Sequence, residues 1–216
     1  KAISASEVTK LYNEVQCPNT VNTPESYFNT VLYNNNSAQP QSITTVGFKP
    51  DLVWIKDRGN TNSSNVLVDS VRGVSAGYLF SNTNAAEYNT YTDSFTSFDL
   101  NGFSLGTDTI GYTNYTGRGP YVAWSWKAAS SNTTNNDGTI QSTVRASQES
   151  GFSIVKATFN TSSPQEIGHG LTSAPEFIIS KRTSTTSDWN CYHKFIDATA
   201  PEDYLIKLNS PDARSN

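Results

Sequence analysis

Hydrophobic positions along the chain follow a helical period only at its beginning. Between Ser4 and Val15 the apolar side chains recur at i, i+3, i+4 and i+7, which is the spacing of one helix face. Ser4 and Glu7 have the residue types and spacing of a capping box. The pattern therefore predicts one short N-terminal helix that ends before Cys17-Pro18.

Beyond Cys17 the period changes to two, and short apolar runs alternate with clusters of Gly, Asn, Asp, Ser and Thr. Strands are predicted in the runs 27–33, 50–56, 64–71, 95–105 and 121–127. Asn101-Gly102 divides the fourth run into a hairpin, because this dipeptide favours a tight turn. Many short strands separated by turn residues predict an all-β chain of antiparallel β-sandwich-like modules.

An internal repeat is the most informative feature of the sequence. Pro50–Lys56 (PDLVWIK) is similar to Pro175–Lys181 (PEFIISK), and a glycine-led turn precedes each copy. Similar pairs flank this match in the same order. They are Tyr27–Val31 with Gly151–Val155, Tyr78-Leu79 with Tyr204-Leu205, and Asn82-Thr83 with Asn209-Ser210. Two copies of one β-module in tandem are therefore predicted.

The repeat defines four predicted segments. Residues 1–16 form the end of a preceding domain, and residues 24–128 form a complete first module. Residues 129–138 (ASSNTTNNDG) are a polar, aperiodic linker, and residues 139–216 form a second module. The second copy has no counterpart of residues 95–127, so we expect further chain beyond Asn216 to complete it.

Composition and charge exclude several classes of function. The formal net charge is -4 and charged residues make up only 16% of the chain. Because phosphate binding needs grouped Lys and Arg, which the sequence lacks, no nucleic-acid partner is predicted. No run approaches the ~20 apolar residues of a membrane-spanning helix, so no membrane insertion is predicted.

Catalytic and metal-binding patterns are also missing from the sequence. His169 and His193 are the only histidines and have no acidic cluster near them, so no metal or cofactor is predicted. Cys191 reads as a buried residue beside a surface histidine, and both cysteines are expected to be free thiols. Asp57-Arg58 and Asp69 with Arg72 are interpreted as ion pairs of turns or rims, and no catalytic residue is assigned.

Other charged and aromatic residues receive structural interpretations. Asp51 and Glu176 follow prolines and are expected to point outward. Trp54 aligns with Ile179, and Trp124 and Trp126 share a strand face with Val122, so these three tryptophans are predicted to lie in the core. Trp189 is left open between core and surface.

The loop 111–119 is the candidate for ligand binding. It is flanked by glycines and therefore predicted to lie at the surface, where it offers two rings, an amide and a guanidinium. The binding residues predicted on this basis are Tyr112, Asn114, Tyr115 and Arg118. Such a loop suits sugars, but tyrosine-rich loops also form contacts between subunits.

Several motifs together resemble a known protein family. The motifs YFNTVLY, GFKPDLVWIKDR, VLVDSVRG, SFDLNGFSLG and YVAWSWKA resemble a tandem β-repeat of structural proteins in tailed bacteriophages, especially marine ones. GFSIVKATFN, IGHGLTSAPEFIISKR and WNCYHKF resemble the other common variant of that module. In addition, KAISASEVTKLYNE resembles the end of a laminin G-like or concanavalin A-like jelly-roll domain.

This resemblance implies a non-enzymatic virion component, most often a segment of a tail fibre used in host attachment. The partners it implies are other virion proteins, further copies of the chain in a homo-oligomer such as a trimer, and a host-surface glycan. Assembly in the host cytoplasm and location in the virion follow from the same resemblance. Three alternatives stay open: a carbohydrate-binding module of an adhesin or extracellular protein, a depolymerase with paired carboxylates, and a capsid decoration protein.

Overall fold

The computed structural model describes residues 4–6, 23–35, 40–90, 93–160 and 164–216. The predicted N-terminal helix and the predicted end of a jelly-roll domain at residues 1–16 lie almost wholly outside the described residues. Among the described residues the chain is all-β, as predicted, with several small antiparallel sheets and no helix of seven or more residues. Besides Ala5 and Ser6, which are helical, the helical elements of the described residues are three short 3-10 turns, Pro24–Ser26, Val74–Ala76 and Pro201–Asp203.

Eight strands form the first module, and each of the predicted strands is found within it. They are β1 (Phe28–Tyr33), β2 (Gln41–Ile43), β3 (Leu52–Asp57), β4 (Val66–Asp69), β5 (Leu79–Phe80), β6 (Phe95–Asp99), β7 (Gly102–Leu105) and β8 (Tyr121–Trp126). A five-stranded sheet has the order β1-β8-β3-β4-β5, and a three-stranded sheet has the order β2-β7-β6. The predicted turn at Asn101-Gly102 does join β6 to β7.

The core of the first module lies between these two sheets. Val53 and Ile55 of the larger sheet and Phe103 and Leu105 of the smaller one are all fully buried. Tyr33 of β1 meets Phe103 of β7 edge to face, with 6.2 Å between ring centres. Alternate residues of each strand thus face the partner sheet, which is the arrangement of a β-sandwich.

Six further strands follow in two smaller sheets. They are β9 (Thr133–Asn135), β10 (Ser142–Ser147), β11 (Phe152–Ala157), β12 (Phe177–Lys181), β13 (Trp189–His193) and β14 (Ile206–Lys207). Their orders are β11-β10-β9 and β12-β13-β14. Within the predicted polar linker 129–138, Thr133–Asn135 form β9, which pairs with β10. Polar residues suffice for an exposed edge strand.

The repeat found in the sequence is present in the hydrogen-bonding pattern. β3, β4 and β5 pair in the same order as β12, β13 and β14, and a 3-10 turn precedes the last strand in each unit. The pair Leu67–Leu79 corresponds to the pair Cys191–Ile206. The Lys56 ammonium donates to Ser63 O just as that of Lys181 donates to Ser187 O.

The asparagine matched by sequence has the same role in both units. Asn82 Oδ1 accepts from the N–H of Asn65 at 2.9 Å, and Asn209 Oδ1 accepts from the N–H of Trp189 at 2.8 Å. One part of the alignment is wrong by one residue. The equivalent of Tyr78 is Leu205, since each forms an isolated bridge, Tyr78 with Tyr88 and Leu205 with Ser215.

The two modules are joined by a buried carboxylate. Asp51 is only 3% exposed, so the prediction that it points outward is wrong. Its carboxylate accepts from Ala128 N at 2.7 Å, from Ser70 Oγ at 2.8 Å and from Arg145 of β10 at 2.5 Å. Glu176, the equivalent residue, is exposed as predicted and pairs with Lys194.

Trp189 provides the apolar part of the same junction. It is 4% exposed and packs against Leu67 and Leu79 on the outer face of the five-stranded sheet. Its indole N–H donates to Phe80 O at 2.9 Å. The second module therefore packs on the β4 and β5 part of the outer face of the first.

Replacing Trp189 with alanine should make the two modules unfold independently of each other. Removing a buried indole costs about 3–5 kcal/mol, and here the cavity would lie at the junction. We expect denaturant unfolding of Trp189→Ala to be destabilised by at least ~3 kcal/mol and to resolve into two transitions.

The matched control is Phe195→Ala, because Phe195 is an aromatic residue of the same module and is 76% exposed. Its free energy of unfolding should change by no more than about 0.5 kcal/mol. Equal effects of the two substitutions would show that Trp189 does not hold the modules together.

Candidate functional site

The loop predicted to bind ligand is folded around a buried aspartate. Asp108 is 3% exposed, and its carboxylate accepts the backbone N–H groups of Ile110, Gly111, Thr113 and Asn114 at 2.6–3.0 Å. Burial by itself would raise the pKa of Asp108, but these four donors outweigh it and the pKa lies below its usual value. The loop is therefore held in one conformation by the carboxylate.

The four residues predicted as binding residues do not form one surface. Asn114 is fully buried, and the Tyr112 ring packs on Phe80 with 4.9 Å between ring centres. Arg118 donates to Gly111 O at 2.9 Å and lies 5.1 Å from the centre of the Tyr115 ring. Among the four, only Tyr115, at 37% exposure, is classed as an exposed large side chain.

The glycines at the ends of the loop predict a position at the surface but carry no information about side-chain direction, and Asn114 points inward. Gly111 has a φ of +92°, and a Cβ there would meet the Arg118 guanidinium at 2.3 Å. The glycine thus allows Arg118 to close the loop from within. Arg118 and Asn114 serve the structure of the loop, and the sequence contains no signal that separates this role from ligand binding.

A different aromatic surface lies on the outer face of the five-stranded sheet. Trp54, Trp124 and Trp126 are partly exposed there, so the prediction that they lie in the core is wrong. The core positions of β3 are Val53 and Ile55, one residue to either side of Trp54. A one-residue shift of phase moves every side chain to the opposite face, and aromatic content does not reveal the phase.

These three tryptophans line a shallow groove of about 310 Å³, together with Lys56 and Asn65. We call it the tryptophan groove. Trp54 and Trp124 are partners in the β3–β8 register and meet edge to face at 5.9 Å. The side-chain oxygen of Asn65 has no hydrogen-bond partner among the described residues. The groove thus offers apolar ring faces, since the unpaired Asn65 oxygen is itself buried.

Contacts with neighbouring side chains hold two of the three rings of the groove, those of Trp54 and Trp126. The Trp54 N–H donates to Ser81 Oγ at 3.0 Å, and the Trp126 ring lies between Phe28 at 4.9 Å and Phe152 of the second module at 6.3 Å. The Lys56 ammonium is held by the carbonyl oxygens of Asn60 and Ser63. A rigid aromatic surface binds with little loss of side-chain entropy.

The remaining thiol, imidazole and carboxylate groups that the sequence singled out have contacts that fit a structural role. Cys191 is a free thiol at 2% exposure, and burial raises its pKa, which disfavours the nucleophilic thiolate. His193, two residues further along, is exposed as predicted. Cys17 lies outside the described residues. Asp69 and Arg72 form an ion pair extended by Glu87, in agreement with the structural interpretation of that motif.

Within the ranges that the structure describes, no three His, Cys, Asp or Glu side chains converge on a metal-sized site. No helix in those ranges has the length and apolar character needed to cross a membrane.

The fold and its surfaces define an all-β protein of repeated sandwich-like modules that presents aromatic and loop surfaces. Comparison of sequences then gives the particular family. Residues 23–216 match DUF7483, a domain of unknown function, and the chain belongs to that family. The match spans both modules. No curated protein and no solved structure is significantly similar to the chain.

The role of Asp108 can be tested by its dependence on pH. The pKa of Asp108 is lower in the folded than in the unfolded chain, so its ionised form stabilises the fold above about pH 4. We expect Asp108→Asn to lose about 2 kcal/mol of unfolding free energy at pH 7. The difference from the wild type should shrink as the pH falls toward 3, in urea unfolding measured across this range.

Asp137→Asn is the control, since Asp137 is an exposed carboxylate in a turn. It should follow the wild type at every pH. If the loss of unfolding free energy in Asp108→Asn stayed constant from pH 7 to pH 3, the ionised Asp108 carboxylate would not be what stabilises the loop.

Proposed function

We propose that this chain is a structural segment of a virion appendage of a tailed bacteriophage, most directly a tail fibre. The observation that carries the proposal is the docking of two repeated modules through the buried Asp51–Arg145 pair and Trp189. A stiff array of similar modules builds length while it reuses one fold. The likeness of the sequence motifs to phage structural repeats supports the same role.

The surface composition suits an appendage that meets a host cell. Few charged residues and many Ser, Thr and Asn residues give a polar surface with few long, mobile side chains. Copies of the chain in a symmetric fibre would present each surface several times, which increases avidity without any new contact. Other virion proteins and further copies of the chain are the partners proposed here.

Location on the particle is the direct test. Fab fragments raised against this chain and coupled to gold should label tail appendages of phage particles whose genome encodes it, in negative-stain electron microscopy. Particles from a strain with the gene deleted serve as the control.

Capsid labelling would overturn the tail placement and favour a decoration protein. Purified particles with neither label nor peptides of the chain in mass spectrometry would overturn the virion role itself.

A second candidate function, carbohydrate binding, is favoured by the tryptophan groove. Indole faces pack on the apolar faces of sugar rings, and three partly exposed tryptophans line this groove. The groove replaces the loop 111–119 as the place where a host-surface glycan would bind. This function is compatible with a role in a fibre and with an adhesin module.

A glycan array followed by titration with the best ligand tests this function. Trp124→Ala should weaken binding at least tenfold, which corresponds to about 1.4 kcal/mol of lost contact with the ring. Tyr115→Ala, in the loop predicted from the sequence, is the matched aromatic control and should bind as the wild type does. Unchanged binding in Trp124→Ala would remove the groove, and loss only in Tyr115→Ala would restore the loop.

A further inference from the structure

In the second module β11 corresponds to β1 and β12 corresponds to β3, and the two pairs of strands have similar contacts. The Asn29 amide donates to Val46 O at 3.0 Å, and the Ser153 hydroxyl donates to His169 O at 2.6 Å. Each carbonyl belongs to the residue before a glycine with positive φ, Gly47 or Gly170. β11 is therefore anchored to the turn before β12 in the way that β1 is anchored to the turn before β3.

In the first module the strand β8 lies between β1 and β3 and pairs with both. Ala123 of β8 lies opposite Val31 of β1 on one side and opposite Ile55 of β3 on the other. The ladder continues past both ends of β8, since Lys127 N–H donates to Tyr27 O and Arg58 N–H donates to Pro120 O. One strand thus satisfies the facing edges of two others.

No described strand occupies this place in the second module. β11 pairs only with β10, and β12 pairs only with β13. β10 does not substitute for β8. It pairs with β11 and β9 but not with β12, whereas β8 pairs with both β1 and β3. Among the described residues, β11 and β12 therefore each have one edge that no strand pairs with.

Apolar side chains around this gap are exposed where their equivalents are buried. Ile178 of β12 is 44% exposed, whereas Val53, its equivalent, is fully buried. Val155 of β11 is 36% exposed, whereas its equivalent Val31 is 7% exposed. Natural proteins rarely leave open strand edges beside exposed apolar residues, because such edges recruit further strands.

We infer that the gap between β11 and β12 binds one extended polypeptide strand with the chemistry of β8. That strand runs antiparallel to both neighbours, as β8 does, and alternates buried inward residues, as Tyr121, Ala123 and Ser125 do in β8, with outward ones. The inward residues Ala123 and Ser125 of β8 are fully buried, and the outward ones are Trp124 and Trp126. Backbone pairing supplies affinity, and the alternation supplies specificity.

This inference concerns how modules of this kind are joined and does not depend on where the protein is located. The occupant is a strand of β8 type other than Tyr121–Trp126, because that strand is already paired on both edges. A second intact copy of the chain is the competing occupant, and the experiment distinguishes it from a single strand.

Amide hydrogen exchange of the whole chain with a synthetic peptide tests the inference. The peptide has the sequence of Tyr121–Lys127, YVAWSWK, with a solubilising tag. We expect exchange in 152–157 and 177–181 to slow at least tenfold at saturating peptide. Exchange in β1 and β3 should not change, because their place is already filled.

The control is the same peptide with proline in place of Trp124, which lacks one N–H in the middle of the strand and resists pairing. Equal protection by both peptides, or none by the soluble original peptide, would overturn the inference. Protection of both segments without peptide, together with a dimer mass that disappears on dilution, would identify a second copy as the occupant and also overturn it. The location of gold label on particles is independent of each of these outcomes.

Discussion

The first module depends on the insertion of β8 between β1 and β3. Phe28 and Trp126 are register partners although almost 100 positions separate them in the chain, and Leu52 is the partner of Trp126 on its other side. Neither β1 nor β3 pairs with the other directly, so β8 alone makes one sheet of them. The sandwich core forms only when this strand has joined, because Tyr121, Ala123 and Ser125 complete the buried face.

The same insertion explains the contrast between the two modules. With β8 in place, the three-stranded unit of β3, β4 and β5 becomes part of the sandwich core. Its repeat in β12, β13 and β14 has the same internal pairing but leaves Phe177, Ile178 and Ile179 exposed. Local pairing is therefore set within each unit, whereas burial depends on strands contributed from elsewhere.

The junction between the two modules is the part of the structure that bears most directly on the proposed role. Asp51 accepts from the first module through Ser70 and Ala128 and from the second through Arg145, so one buried carboxylate fixes both. Such a pair stabilises only when the carboxylate oxygens have donors, and here Oδ1 accepts from Ser70 and Arg145 while Oδ2 accepts from Ala128. A junction of this kind suits a stiff appendage, and it leaves the tryptophan groove uncovered on the rest of the outer face.

The sequence by itself determined the all-β class, the strands of the first module and the tandem repeat, because period-two patterns and turn residues act locally. It also located the Asn82 and Asn209 equivalence, since each side chain bonds a backbone group of its own unit. Tertiary structure alone decided that Asp51 and Asn114 are buried and that Trp54, Trp124 and Trp126 face outward. Which face of a strand is covered depends on partners distant in the chain, and neither residue type nor spacing encodes that choice.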